Sequence, residues 1–123
     1  IIEAAGQTLS PGFVNAHATG TIQGDLAEAE AIAEEFGKDV PVSSLKGHLG
    51  HTLGGSGAIE LVAVVEMMRN GVIYPTRNLE NIDPACAGIG LIQDVTPCRF
   101  RAFLKNSFAF GGINAAIACV AYE

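Results

Sequence analysis

The sequence predicts a layered α/β fold with a mixed sheet, and three observations predict it. Short apolar runs alternate with two helical stretches in the order β-α-β-α-loop-β-β, the alternation from which layered α/β units are built. The second helical stretch is apolar nearly all round, which means burial on several sides. The last stretch, INAAIACVAY, is apolar on both faces, as a central strand covered by helices is.

The elements follow in order. PGFVNAHA reads as a short strand, Phe13 to Asn15, that runs into a loop at His17. GDLAEAEAIAEEFG reads as a helix, with Asp25 as N-cap and Glu28 three residues on, as in a capping box. Leu26, Ala29, Ala33 and Phe36 mark one face of it, and Gly37 is placed to end it. VPVSS is a short buried strand. Gly54, Gly55 and Gly57 open the second helix, which runs to about Asn70 and stops at Gly71. A long loop from Val72 to Gly88 carries Pro75 and Pro84; such loops usually serve function or pack on a neighbour. Phe100, Ala102 and Leu104 alternate with Arg99, Arg101 and Lys105, the pattern of a half-exposed strand. FAFGG turns the chain into the last strand, Ile113 to Tyr122. No internal repeat or low-complexity segment interrupts the order.

At 123 residues the chain is one domain or one piece of a domain. Charged residues make up 16%, below the roughly 25% usual in soluble domains. A small domain has much surface to cover with polar groups, so part of this surface is expected to face another chain or a missing segment. A net charge of −6 argues against a nucleic-acid partner, which needs a basic patch. Three cysteines at 86, 98 and 119, with no CxxC, indicate neither a disulfide framework nor a zinc ribbon, and a reducing cytoplasm suits them. No charged n-region precedes an apolar stretch at the N-terminus. The mainly apolar run Ala58 to Met68 contains Glu60 and Glu66 and is too short for a bilayer, so no membrane partner is expected.

The titratable groups collect beside glycines. SLKGHLGHTLGGSGAIE holds Lys46, His48 and His51, and the third histidine, His17, sits in NAHATGT. His48 and His51 would share one face of a helix and could then hold a metal. Glycines at 47, 50, 54 and 55 argue for a loop instead, and no acidic ligand lies close in sequence, so no metal is expected. Such a loop lets a ligand approach the backbone and sets His51 just before a helix N-terminus. A neutral imidazole there can donate a hydrogen bond to a developing oxyanion. His17 also follows a strand and precedes small residues. Two histidines at strand ends could converge on one carbonyl oxygen.

Three phrases occur in one order: VNAHATGTIQGD (14 to 25), KGHLGHTLGGSGAIE (46 to 60) and NSFAFGGINA (106 to 115). In this the chain resembles the C-terminal portion of the elongating β-ketoacyl-acyl carrier protein synthases, condensing enzymes of the thiolase superfamily, from about Phe13 to Tyr122. The resemblance implies the C-terminal half of a duplicated, five-layered α-β-α-β-α fold, with residues 1–123 as that partial domain. It implies a decarboxylative Claisen condensation between an acyl thioester and malonyl-acyl carrier protein, without a cofactor. His17 and His51 match the catalytic histidines of a Cys-His-His triad, and Lys46 matches the motif lysine that joins them, working with the acid at Glu28. Thr19 and Thr21 match the threonines that bond the pantetheine arm. Phe110 matches a gating phenylalanine, with Gly111 and Gly112 beside it. Asn15, Glu28, Glu60 and Asn106 match positions that surround a buried cation in some members. Lys105 stands where many members have serine; its ammonium either takes the place of that cation or points away. Ala109 replaces the commoner glycine of the gating loop.

The nucleophilic cysteine of that family belongs to the N-terminal half. None of Cys86, Cys98 or Cys119 has its context, so this chain alone is expected to be inactive. The implied partners are acyl carrier protein, the N-terminal half and a second subunit. A non-condensing chain-length partner, a carrier-binding piece and a polyketide-type ketosynthase remain as alternatives.

Overall fold

The computed structural model describes residues 10–121. The ends of the expected domain, and Tyr122 at the close of the last expected strand, lie outside the described residues.

Phe13 and Val14 point to opposite faces of one strand and both are fully buried, so β1 (Val14–Asn15) sits in the middle of the structure. The helix α1 (Ile22–Phe36) starts earlier than expected, with Thr21 as N-cap. Asp25 therefore lies in the first turn rather than at the cap, and the capping box is replaced by other contacts of Asp25 and Glu28. Gly37 ends α1 as expected, at φ 58°, a backbone angle that favours glycine. β2 (Pro41–Ser43) follows. The segment expected as a loop then contains a short helix, α2 (Lys46–Leu49), and a 3₁₀ turn at Leu53–Gly55. The helix α3 (Ser56–Asn70) stops at Gly71, which is left-handed.

The expected long loop carries β3 (Val72–Ile73) and a 3₁₀ turn at Pro84–Cys86. β4 (Gly90–Leu91) and β5 (Thr96–Pro97) were not legible in the sequence. β6 (Ala102–Ala109) and β7 (Ile113–Val120) form a hairpin. The main sheet runs β4-β2-β1-β6-β7, and β3 pairs with β5 separately. In the main sheet β1 is parallel to both β2 and β6, β2 is parallel to β4, and β7 is antiparallel to β6. The sheet is mixed, as expected.

Each face of the sheet is covered by one helix. Ala29 and Ile32 of α1 lie over Val14, Ala16, Val42 and Ile89. Val64 and Met67 of α3 lie over Phe13, Phe103 and Ile73. Each fully buried large side chain contributes roughly 1.5–3 kcal/mol. Two expectations are corrected here. β7 is an edge strand, not a central one, and Ile113, Ile117 and Val120 are exposed. α3 is buried on one side only, leaving Ile59 and Val62 in solvent. Among the described residues no helix is long and apolar enough to cross a membrane.

Candidate functional site

The loop after β1 is held by the carboxylates of α1. The backbone N–H groups of His17 and Ala18 donate to Glu28 Oε1 and Oε2 at 2.9 and 2.8 Å. Those of Thr19 and Gly20 donate to Asp25 Oδ1 at 3.1 and 3.2 Å. Asn106 on β6 donates from Nδ2 to Glu28 Oε1 at 3.0 Å. Glu28 is thus a buried clamp on β1, α1 and β6 together. Acidic groups also suit the first turns of a helix, where they meet its positive end.

His51 reaches the same place from the turn after α2. Gly50 turns the chain at φ +73°. The N–H of Leu53 donates to His51 Nδ1 at 3.1 Å; that nitrogen accepts, so the ring proton sits on Nε2. The His17 and His51 rings lie 5.5 Å apart, edge to face at 85°. Phe108 of β6 packs against His17 at 5.6 Å. Burial first, then the ammoniums of Lys46 and Lys105 and the ring of His51, hold His17 below the ordinary histidine value, against the opposing pull of Glu28.

Beneath the histidines lies a buried ionic cluster. Lys46 Nζ is 2.8 Å from Glu60 Oε1, and Lys105 Nζ is 2.8 Å from Glu60 Oε2. Ser56 donates to Glu60 Oε1 at 2.5 Å. Burial opposes the charge on Glu60, but hydrogen bonds from Lys105, Lys46 and Ser56 outweigh it and hold the carboxyl below its usual value. Lys105 therefore points inward, against the half-exposed strand pattern but as one of the two alternatives that the resemblance leaves open.

The expected site residues do not all meet. His17, His51, Lys46, Glu28, Glu60 and Asn106 come together. Asn15 is buried on β1, with its Nδ2 donating to Ser43 O at 3.2 Å. Thr19 and Thr21 are exposed at the start of α1, with hydroxyls 3.5 Å apart. Phe110 is fully exposed at the hairpin turn, where Gly111 and Gly112 have φ of +84° and +79°. Phe108, which sequence reasoning passed over, is the ring that touches His17. Its neighbour in FAF, Phe110, drew attention instead; two residues on, it would share the face of Phe108 in a continued strand, but β6 ends at Ala109 and Phe110 lies in the turn. His48 turns away, its Nε2 2.9 Å from Pro75 O, so it does not pair with His51. No cluster of three or more His, Cys, Asp or Glu among the described residues could hold a metal.

The three cysteines are free. Burial, then Asp83, Asp25 and Glu30, push the Cys86 thiol up, and burial does the same for Cys119. Such thiols are poor nucleophiles. A cavity of about 280 Å³ lies between α1 and the 76–91 segment, lined by Thr21, Asp25, Glu28 and Cys86 among others, but by neither His17 nor His51.

The fold and the histidine pair define a class. Over 99% of its length the chain superposes on 30% of a beta-ketoacyl synthase from Burkholderia phymatum STM815, with TM-score 0.91 and 39% identity. It covers 31% of a ketosynthase solved in a complex of a type II polyketide synthase acyl-carrier protein with its ketosynthase, bound to the hexaketide (99% of this chain, TM-score 0.90, 29% identity). The architecture is therefore the thiolase-like one of ketosynthases. Residues 3–80 match the family described as beta-ketoacyl synthase, C-terminal domain, and the chain belongs to that family. Among curated relatives it is 46% identical over 121 residues to 3-oxoacyl-[acyl-carrier-protein] synthase 2 of Mycobacterium bovis, matching 95% of this chain. The chain spans 28% of that relative's length.

Proposed function

We propose that this chain is the histidine-bearing part of a condensing enzyme that extends acyl thioesters with malonyl-acyl carrier protein in fatty acid synthesis. The observation that carries this reading is the edge-to-face pair of His17 and His51, 5.5 Å apart above a buried Lys46–Glu60 pair. Loss of carbon dioxide from a malonyl thioester sends the electrons of the broken C–C bond into an enolate. N–H groups of neutral imidazoles meet the enolate oxygen, and His51 has its proton on the free Nε2 for that task. The enolate carbon then attacks an acyl thioester carried on a cysteine of the N-terminal half, whose thiolate leaves.

Thr19, Thr21, Phe110, Gly111 and Gly112 form the side from which a pantetheine arm would approach, and acyl carrier protein is the partner. The N-terminal half and a second subunit cover the apolar faces left open here, and free cysteines suit the cytoplasm. No cofactor takes part. A polyketide-type ketosynthase is the second reading, favoured by the 29% identical polyketide neighbour; the 46% identity to a 3-oxoacyl synthase supports the first. A non-condensing partner is disfavoured by the presence of both histidines.

The test uses the complete protein that carries this chain. His17→Ala and His51→Ala are each expected to cut malonyl decarboxylation about 100- to 1000-fold, while His48→Ala changes it little. A His48→Ala loss as large as that of His51→Ala would overturn the assignment.

A further inference from the structure

Glu60 is a buried carboxylate, 1% exposed, shared by two ammonium groups. The Lys105 ammonium, 2% exposed, is ion-paired with Glu60 Oε2 and donates to the carbonyl of Asn106 and to Ser107 Oγ at 3.3 Å. Lys46 takes the other oxygen of Glu60. Glu28, also buried, is tied to the cluster through Asn106. Two buried carboxylates, Glu28 and Glu60, thus stand against two ammoniums, Lys46 and Lys105, and the charges balance.

These residues do not fit the buried cation that the family resemblance implies for some relatives. Each oxygen of Glu60 already has an ammonium 2.8 Å away, and a further positive ion would face both ammoniums at close range. In an interior of low dielectric that repulsion is several-fold stronger than in water. Asn15 pairs in register with both Lys105 and Ser43, and strand alternation puts all three on the α3 side of the sheet. Asn15 Oδ1 and Ser43 Oγ are buried there without a hydrogen-bond partner, but both are neutral and add no charge to hold an ion.

We propose that Lys105 is a built-in counter-ion, its ammonium standing where relatives hold a free cation, so that this protein needs no metal there. Replacing Lys105 by serine restores the need. Glu28 and Glu60 would then face Lys46 alone. Glu60 Oε2, Asn15 Oδ1, the Asn106 carbonyl and the new hydroxyl are hard oxygen donors of the kind that bind hard cations.

The readout is the thermal midpoint of the complete protein, which does not depend on the condensing reaction. Wild type, Lys105→Ser and Lys105→Met are compared in choline, sodium and potassium chloride at equal ionic strength. The wild type is expected to melt at one temperature in all three salts and to retain no bound sodium or potassium after dialysis. Lys105→Ser is expected to melt several degrees lower in choline and to recover saturably as sodium or potassium is added, as binding linkage requires. Lys105→Met, which offers no oxygen, is expected to stay low in every salt. A wild-type midpoint that climbs saturably with sodium or potassium overturns the proposal, even if neither variant folds. So does a Lys105→Ser protein as stable in choline as the wild type.

Discussion

Glu28→Gln tests whether one buried carboxylate positions His17. The change keeps the shape and removes the charge. Glu28 accepts three hydrogen bonds, from His17 N at 2.9 Å, Ala18 N at 2.8 Å and Asn106 Nδ2 at 3.0 Å. A glutamine can keep the two on Oε1, but its NH₂ then faces the N–H of Ala18, donor against donor. One charged hydrogen bond is lost, worth about 1.5–3 kcal/mol, and a donor is left unmet at a similar cost. Part of this is relieved by a shift of the 17–20 loop, so a net loss of about 2–3 kcal/mol in unfolding free energy is expected. The same shift moves the His17 ring. If the loss falls wholly on transition-state placement, decarboxylation slows by about 30- to 160-fold. Urea unfolding and a malonyl decarboxylation assay on the complete protein read the two effects. A variant within about 0.5 kcal/mol of wild type and unimpaired in rate would refute the clamp.

Further outcomes follow from the same geometry. Glu60→Ala leaves two ammoniums buried without their carboxylate, and a loss of about 3–5 kcal/mol in urea unfolding is expected; a loss below 1 kcal/mol would mean the cluster is open to water. The folded value of His17 lies below its ordinary 6.5, so between the two the unfolded chain binds more protons. Stability should therefore rise with pH through that window and fall on acidification below about 6.5, and His17→Gln should flatten that part of the profile. The isolated chain exposes Ile113, Ile117 and Val120 along β7, with Val62 on α3; it is expected to associate or bind an apolar dye, and a monodisperse, dye-silent monomer would contradict that.

The helices and the main strands were legible because apolar spacing and terminal glycines report them directly. Gly37 and Gly71 end α1 and α3 where the sequence places the stops. The histidines could be linked only through resemblance, because what brings them together is the pairing of β1 with β2, a long-range contact that no local pattern encodes. Lys105 is put on the exposed side by the alternating pattern alone, for a related reason. It has the parity of Phe103, which is fully buried, yet a lysine in an alternating strand reads as solvated unless its partner is known. β7 reads as central in the sequence because an apolar strand looks the same whether its cover is within the chain or supplied by another. Asp25 was legible as a group at the start of α1, but its backbone partners fixed the actual start at Thr21.

The pairing of β1 with β6 also has a consequence for folding order. Val14 and Leu104 are register partners some 90 residues apart, whereas β6 and β7 are joined by a three-residue turn, Phe110 to Gly112. Local contacts form early, and closing a long loop comes late because its entropy must be met before the contact rewards it. The β6–β7 hairpin and α1 can thus be present while His17 and Phe108 are still far apart. The His17–Phe108 contact forms only when β1 docks beside β6, so function should return in refolding with the slowest cooperative phase, after most helical signal has recovered.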